Sequence, residues 1–235
     1  MNANLSHAVL QEKRVDFENG KIININKPEG WTSFDVVKKI RNAIKIKKVG
    51  HAGTLDPFAT GVLLICTGKA TKKVESIMGM RKVYEADVEL GKVSDTYDRT
   101  GKIIEVETYS TIRREDVEIV CSRFVGEIEQ IPPMFSAIKV KGQRLYHLAR
   151  QGINIERKPR RVHIYNIKLL HFDFPFFKIE VTCGKGTYIR SLVHDIGQKL
   201  SSGAYIVDLV RTKIGQYDLK EALTVPEFMK LNLRD

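Results

Sequence analysis

The stretch VGHAGTLDPFATGVLLICTGKATK occupies residues 49–72. Its first part is rich in Gly, Thr and Pro, residues that turn the chain rather than build a core. A single acid, Asp56, stands inside it. The continuation GVLLICTG, residues 61–68, is a short apolar run bounded by glycines and reads as a buried strand. An acid on such a loop is either a turn-former, as Asp-Pro commonly is, or a chemical group held out on a rigid base. His51, taken alone, reads equally well as a packed imidazole.

Elements on both sides of this stretch can be read outward from it. KIININKPEGW (21–31) is a strand closed by a Lys-Pro-Glu-Gly turn. TSFDVVKKIRNAIK (32–45) opens on Thr32 or Ser33 as N-cap, with Phe34, Val37, Ile40 and Ile44 as its apolar stripe. KATKKVESIMGM (69–80) reads as a short helix. In KVYEADVELG (82–91), Tyr84, Ala86, Val88 and Leu90 share one face of a strand while Glu85, Asp87 and Glu89 share the other. SDTYDRTG (94–101) is turn-rich, and REDVEIVCSRFVG (114–126) is helical. RRVHIYNIKLLHFDF and FFKIEVTCG form a strand pair about Pro175. TYIRSLVHDIGQKL (187–200) is a helix capped by Thr187, with Ile189, Leu192, Val193, Ile196 and Leu200 inward. AYIVDLVRTKIGQYDL (204–219) is strand again, and residues 1–19 read as a loose arm. Strands and helices mix without strict alternation, which predicts an α+β fold with a mixed, largely antiparallel sheet.

The 235 residues carry 39 Lys+Arg against 28 Asp+Glu, a net charge of +11. Such an excess points to a polyanionic partner, nucleic acid first and an anionic membrane surface second, or to a merely solvating surface. KVKGQRLYHLARQ and RKPRRVHIY interleave cations with aromatic rings, as a surface that grips phosphates while rings stack on bases would. Cys66, Cys121 and Cys183 form no framework or C-x-x-C pair and read as buried thiols. The N-terminus has no apolar h-region and no run reaches membrane-spanning length, so the expected compartment is cytoplasmic. There is no phosphate loop, dinucleotide fingerprint, His-Glu-x-x-His site or Gly-x-Ser-x-Gly elbow, so the sequence suggests neither a metal nor a cofactor.

Tyr188 and Arg190 fall at the start of a helix. A cation there opposes the helix dipole, which a nearby carboxylate would relieve; taken alone, Arg190 reads as a surface arginine. Tyr84 by itself reads as a core tyrosine.

GHAGTLDPFATGVLLICTGKATK resembles the signature segment of the tRNA pseudouridine synthase B (TruB) family. The likeness continues in order through KPEGWTSFDVV, KVYEADVELGKVSDTYDRTG, IPPMFSAIKVKGQRLYHLARQG, CGKGTYIRSLVHDIG and LVRTKIGQY, about residues 20–225. It implies the pseudouridine synthase fold over 20–235 and a thumb-like RNA-gripping insertion over about 127–160; the chain departs from the many members that carry a C-terminal PUA-like domain, since VPEFMKLNLRD comes too soon for one, and a short form without it is expected. The implied reaction isomerises uridine to pseudouridine in the T-arm of tRNA, at position 55, without cofactor or metal, by a monomer. By resemblance, Asp56 is the catalytic aspartate, Arg190 its ion-pair partner and Tyr84 the ring that stacks on the extruded uracil. Tyr188 is a second pocket tyrosine, and His51 engages the T-loop. Leu209 packs beneath the base, and Lys72 lies near the RNA backbone. The chemistry agrees with these types: burial raises a carboxyl's pKa and an adjacent Arg opposes that rise. Two rival readings share the basic face but not the need for Asp56 as an isomerase group. One is a tRNA-binding or folding-assisting protein, the other a general nucleic-acid glycosidase.

Overall fold

The structure is a computed structural model and describes residues 4–5, 16–106, 112–136, 139–140, 142–153 and 155–232. In chain order the strands and helices begin with β1 (Asn4–Leu5), β2 (Ile22–Lys27), α1 (Ser33–Ile44), β3 (Val49–His51) and β4 (Thr60–Thr67). A 3-10 turn, Gly68–Lys73, then leads into α2 (Val74–Met78), β5 (Lys82–Leu90), β6 (Lys92–Ser94), β7 (Ile103–Glu105), α3 (Arg114–Ser122) and β8 (Gly126–Gln130). The short elements β9 (Lys139–Val140), β10 (Gln143–Arg144) and α4 (Leu145–Arg150) precede β11 (Arg160–Asp173), β12 (Phe176–Cys183) and α5 (Ile189–Lys199). The chain ends with β13 (Ala204–Ile214), β14 (Tyr217–Asp218), β15 (Leu223–Thr224) and α6 (Val225–Asn232). Two compact units result: Met1–Tyr84 with Leu209–Asp235, and Glu85–Asp208.

The first unit is built on β4. β2 runs antiparallel to it from Ile22↔Cys66 to Lys27↔Gly61, and β3 antiparallel from Val49↔Thr67 to His51↔Ile65. The end of β13 lies parallel to β4, with Val210 opposite Thr60. Because side chains alternate along a strand, β4 feeds two cores. Leu63 and Ile65 join Ile23, Ile25, Val36, Val37, Ile40 and Phe228, while Val62, Leu64 and Cys66 join Ile77 and Ile214. Phe17, inside the stretch read as an arm, is buried in the first of these and meets Phe228 edge-on. Asn4–Leu5 pair in parallel with Ile22–Ile23; the rest of the arm up to residue 15 lies outside the described residues.

Of the two candidate caps, Thr32 and Ser33, helix α1 uses Thr32. Its hydroxyl accepts the Asp35 N–H at 3.1 Å and the Asp35 carboxylate accepts the Thr32 N–H at 2.9 Å, a capping box. Its buried stripe is Ser33, Val36, Val37 and Ile40, spaced three and four apart from Ser33. The expected stripe began one residue late. Phe34 is 59% exposed, with the Arg41 guanidinium 5.9 Å from its ring.

In the second unit β11 pairs antiparallel with β12 and, along its first residues, antiparallel with β8. Between β8 and β11 the chain leaves the sheet for the β9/β10 hairpin and α4, where the sequence predicts the insertion. α3 is fastened to β11 by the Arg114 guanidinium, which donates to the Leu169 carbonyl at 3.3 Å. β5 alternates as read, with Tyr84, Ala86, Val88 and Leu90 buried. Burial pushes the Cys66 thiol up to about 11 and the Cys121 thiol up to about 12, as buried thiols require. The result is an α+β fold whose pairing is mixed and mostly antiparallel.

Helix α5 corrects a second expectation. It starts at Ile189, and its N-cap is Tyr188, not Thr187. The Thr187 hydroxyl instead donates back to the Gly184 carbonyl at 3.1 Å. Tyr188 has no side-chain cap of the usual kind. Its backbone N–H donates to Gln130 Oε1 at 2.8 Å, and its carbonyl accepts Gln130 Nε2 at 3.0 Å. A long-range glutamine thus fixes the backbone of the N-cap residue, while no side chain caps the first turn.

Candidate active site

In the first unit, the segment after β3 turns at Gly53, whose φ of +102° suits glycine. It carries Asp56 and returns to β4. Three buried groups hold this loop. The Ser33 hydroxyl accepts the Leu55 N–H at 2.9 Å, inside the core face of α1. The Lys27 ammonium, fully buried at the end of β2, donates to the carbonyls of Pro28 (2.8 Å), Trp31 (2.7 Å) and Pro57 (3.1 Å). The Arg211 guanidinium, buried on β13, donates to the carbonyls of Val62 (2.7 Å), Gly53 (3.1 Å) and Thr54 (3.3 Å). Gly30 N–H adds a bond to the Pro57 carbonyl at 2.8 Å. Leu55, Phe58 and Ala59 are buried on either side, whereas Asp56 is half-buried. The loop therefore has its neighbours anchored in the core, with Asp56 half-buried between them.

These cations shape the local field. Burial pushes the Lys27 amine down to about 8, the Asp56 charge opposing that fall and the Arg211 charge adding to it. His51, half-buried at the end of β3, is pushed below the ordinary imidazole value by burial and then by the Arg211 charge, so it is neutral at neutral pH. Tyr84 is buried on β5. Its ring centroid lies 5.9 Å from the Arg211 guanidinium carbon, and its hydroxyl stands 3.5 Å from Nη1. Leu209 is buried two residues before Arg211, on the same face of β13. Lys72 is exposed on the 3-10 turn beyond the other end of β4.

In the second unit, Arg190 is 3% exposed in the first turn of α5. Its Nη1 donates to the Thr96 carbonyl at 3.0 Å and meets Asp98 Oδ2 at 3.2 Å, and its Nη2 donates to the Phe135 carbonyl at 2.8 Å. Asp98 is itself buried and accepts from the Thr96 hydroxyl (2.8 Å), the Thr100 N–H (2.9 Å) and the Thr100 hydroxyl (2.5 Å). Arg190, which alone reads as a surface arginine, is instead buried beside a carboxylate, Asp98, on the loop that composition marks only as turn-rich. Tyr97, at φ +64°, stacks on His194 with ring centroids 4.1 Å apart.

The first unit thus gathers Asp56, His51, Tyr84 and Leu209 among the site residues read from sequence, with Lys72 further along its surface, and the second carries Tyr188 and Arg190. Sequence reasoning missed Lys27, Ser33, Arg211 and Asp98. A signal existed for Arg211, a guanidinium in the middle of an apolar strand, and for Lys27, a cation closing one.

Comparison with known proteins gives one answer. The model of the TruB family pseudouridylate synthase N-terminal domain matches residues 41–189, and that of the tRNA pseudouridylate synthase B C-terminal domain matches residues 190–234. A tRNA pseudouridine synthase B of Clostridium tetani is 50% identical over 214 residues, 91% of this chain and 74% of the relative. The protein of the same name from Bacteroides fragilis is 47% identical over 220 residues, 91% of this chain and 94% of the relative. Among solved structures, a chain of a Cbf5-Nop10-Gar1 complex superposes with a TM-score of 0.70 at 29% identity, over 91% of this chain. This chain spans about half the length of that one, 54%.

Proposed function

This chain belongs to the TruB family of pseudouridylate synthases and is a tRNA uridine-to-pseudouridine isomerase, and we propose that its target is the T-arm uridine, with Asp56 as the acting carboxylate. The observation that carries the assignment of Asp56 is the clamp. Lys27, Ser33 and Arg211 fix the peptides on both sides of it, and Asp56 itself is half-buried.

The reaction breaks the bond from uracil N1 to ribose C1′, turns the base, and joins C5 to the same carbon. N1 gains a proton, C5 loses one, and nothing is oxidised or consumed. Attack on C1′, removal of a sugar proton and addition to uracil C6 are three routes open to a carboxylate, and each requires it ionised. We assign Arg190 to Asp56 as its electrostatic partner, because a guanidinium opposes the pKa rise that a water-poor pocket imposes. Its pre-set orientation, held by Thr96, Phe135 and Asp98, suits that role.

The target base must leave its stack, at a cost of a few kcal/mol. Stacking on Tyr84 returns about 1–3 kcal/mol. Tyr188 and Leu209 complete the pocket. Neutral His51 engages the T-loop, and Lys72 approaches the backbone. The insertion and the exposed Lys158, Arg160 and Arg161 grip phosphates. The protein acts as a monomer in the cytoplasm, where its tRNA substrate resides and where free thiols such as Cys66, Cys121 and Cys183 stay reduced.

The test is incubation with an unmodified tRNA transcript and mapping of pseudouridine to one nucleotide. Product at the T-arm uridine is expected. Product elsewhere, or free uracil, overturns the assignment.

A further inference from the structure

We propose that the groove between Trp31 and the outer face of α1 is a second RNA-binding surface, which holds backbone adjoining the nucleotide at Asp56. The proposal rests on the isomerase reading and extends its substrate contacts to a face that none of the residues above occupies.

The groove has a volume of about 450 Å³ and is lined by Gly30, Trp31, Asp35, Lys38, Lys39 and Asn42. Trp31 is half-buried: part of it packs against the α1 core, and part lines the groove. Lys38 and Lys39 are exposed, and the chain beyond α1 adds exposed Lys45, Lys47 and Lys48. Asp35 is the acid in the lining, and its carboxylate is already occupied by the Thr32 N–H and hydroxyl at 2.9 and 2.6 Å. Those hydrogen bonds hold its pKa below the usual carboxylate value, so it stays a capping anion. The lining keeps that anion, but its two lysines outnumber it and Lys45, Lys47 and Lys48 add to them, with an aromatic ring and an amide alongside. Phosphates suit the lysines, a base or ribose suits the indole, and Asn42 can hydrogen-bond a base edge.

Placement makes RNA the occupant. The wall of the groove and the Asp56 loop share one frame. Gly30 N–H donates to the Pro57 carbonyl, and Lys27 bridges the carbonyls of Trp31 and Pro57. A strand whose nucleotide sits at Asp56 is therefore already beside Trp31.

Trp31 is the single tryptophan of the chain, so its emission reports on this groove. The full-length protein is titrated with an unmodified tRNA transcript while tryptophan fluorescence, affinity at several salt concentrations and pseudouridine are followed. Quenching of Trp31 is expected. The Lys38→Ala/Lys39→Ala double variant should weaken affinity about tenfold and lower the salt slope by about 1.8, the loss of two phosphate contacts. Its turnover at saturating tRNA should be unchanged. Both lysines are exposed, so the variant should fold, and circular dichroism checks that it does. Unquenched Trp31, or affinity within twofold of the parent with the salt slope intact, overturns the groove while pseudouridine formation leaves the isomerase standing. If the parent makes no pseudouridine, the isomerase reading falls, and the quenching and lysine data still decide the groove for tRNA binding.

Discussion

The Lys27 ammonium donates to the Pro57 carbonyl at 3.1 Å, which ties the last residue of a core strand to the residue that follows Asp56. It also holds the carbonyls of Pro28 and Trp31. Methionine fills a similar volume without donors. Lys27→Met should therefore keep the fold and tRNA affinity but lower single-turnover pseudouridine formation by about 10–100-fold, because the carboxylate loses its fixed position. A turnover equal to the parent's would show that the clamp is unnecessary.

The same lysine sets a pH dependence. Its folded pKa is lowered to about 8, against about 10.4 for a free lysine. Between those values the unfolded chain binds more protons than the folded one, so stability rises with pH through this window and the effect is constant below it. Compared with Lys27→Met, which does not titrate there, the parent should gain up to about 1.4 kcal/mol per pH unit between pH 8 and 10. Denaturant melts of both proteins across that range check the sign.

Asp56→Asn leaves the backbone bond from Ala59 N–H to the Asp56 carbonyl in place. It should bind tRNA within an order of magnitude of the parent and make no pseudouridine. Undiminished product would falsify the assignment.

Arg211→Lys keeps the charge and loses the fork that reaches Val62, Gly53 and Thr54 at once. One or two buried carbonyls would go unpaired, each costing about 1–3 kcal/mol. Denaturant unfolding should show a loss of about 2–4 kcal/mol, with turnover reduced as well.

Two glycines separate backbone strain from crowding. Gly61 has φ +104°, and a Cβ there would strike the Arg211 backbone. Gly30 has φ +77° with no atom within 4 Å of such a Cβ. Gly30→Ala should cost about 1–2 kcal/mol, whereas Gly61→Ala should yield no soluble folded protein. Equal expression and melting of the two variants would remove the argument from crowding.

Much of this was legible in the sequence because it is local. The alternation of β5, a cap at the start of α1 and the glycine-bounded β4 follow from near neighbours. What failed depended on distant ones. The α1 stripe starts at Ser33 because a polar hydroxyl is needed inside, against the Leu55 N–H, and hydrophobic periodicity cannot see that. The group that holds Tyr188, the N-cap of α5, is Gln130, 58 residues earlier. Asp98 sits in a stretch whose composition announces only a turn, and its service to Arg190 appears once the chain is folded. Lys27 and Arg211 look like surface cations by type, yet both are buried, each satisfied by carbonyls from other segments.

Arg211 lies 149 residues after the Val62 carbonyl it holds. A ribosome adding about 5–20 residues per second would release the Asp56 loop many seconds before the guanidinium that fastens it. During that interval Ser33, Lys27 and Gly30 hold the loop, and the carbonyls of Gly53 and Thr54 lack the guanidinium. Such distant pairing also lowers the folding rate. Newly made chains should therefore become fully competent for chemistry only after residue 211 has been added, a delay that premature truncation before it would make permanent.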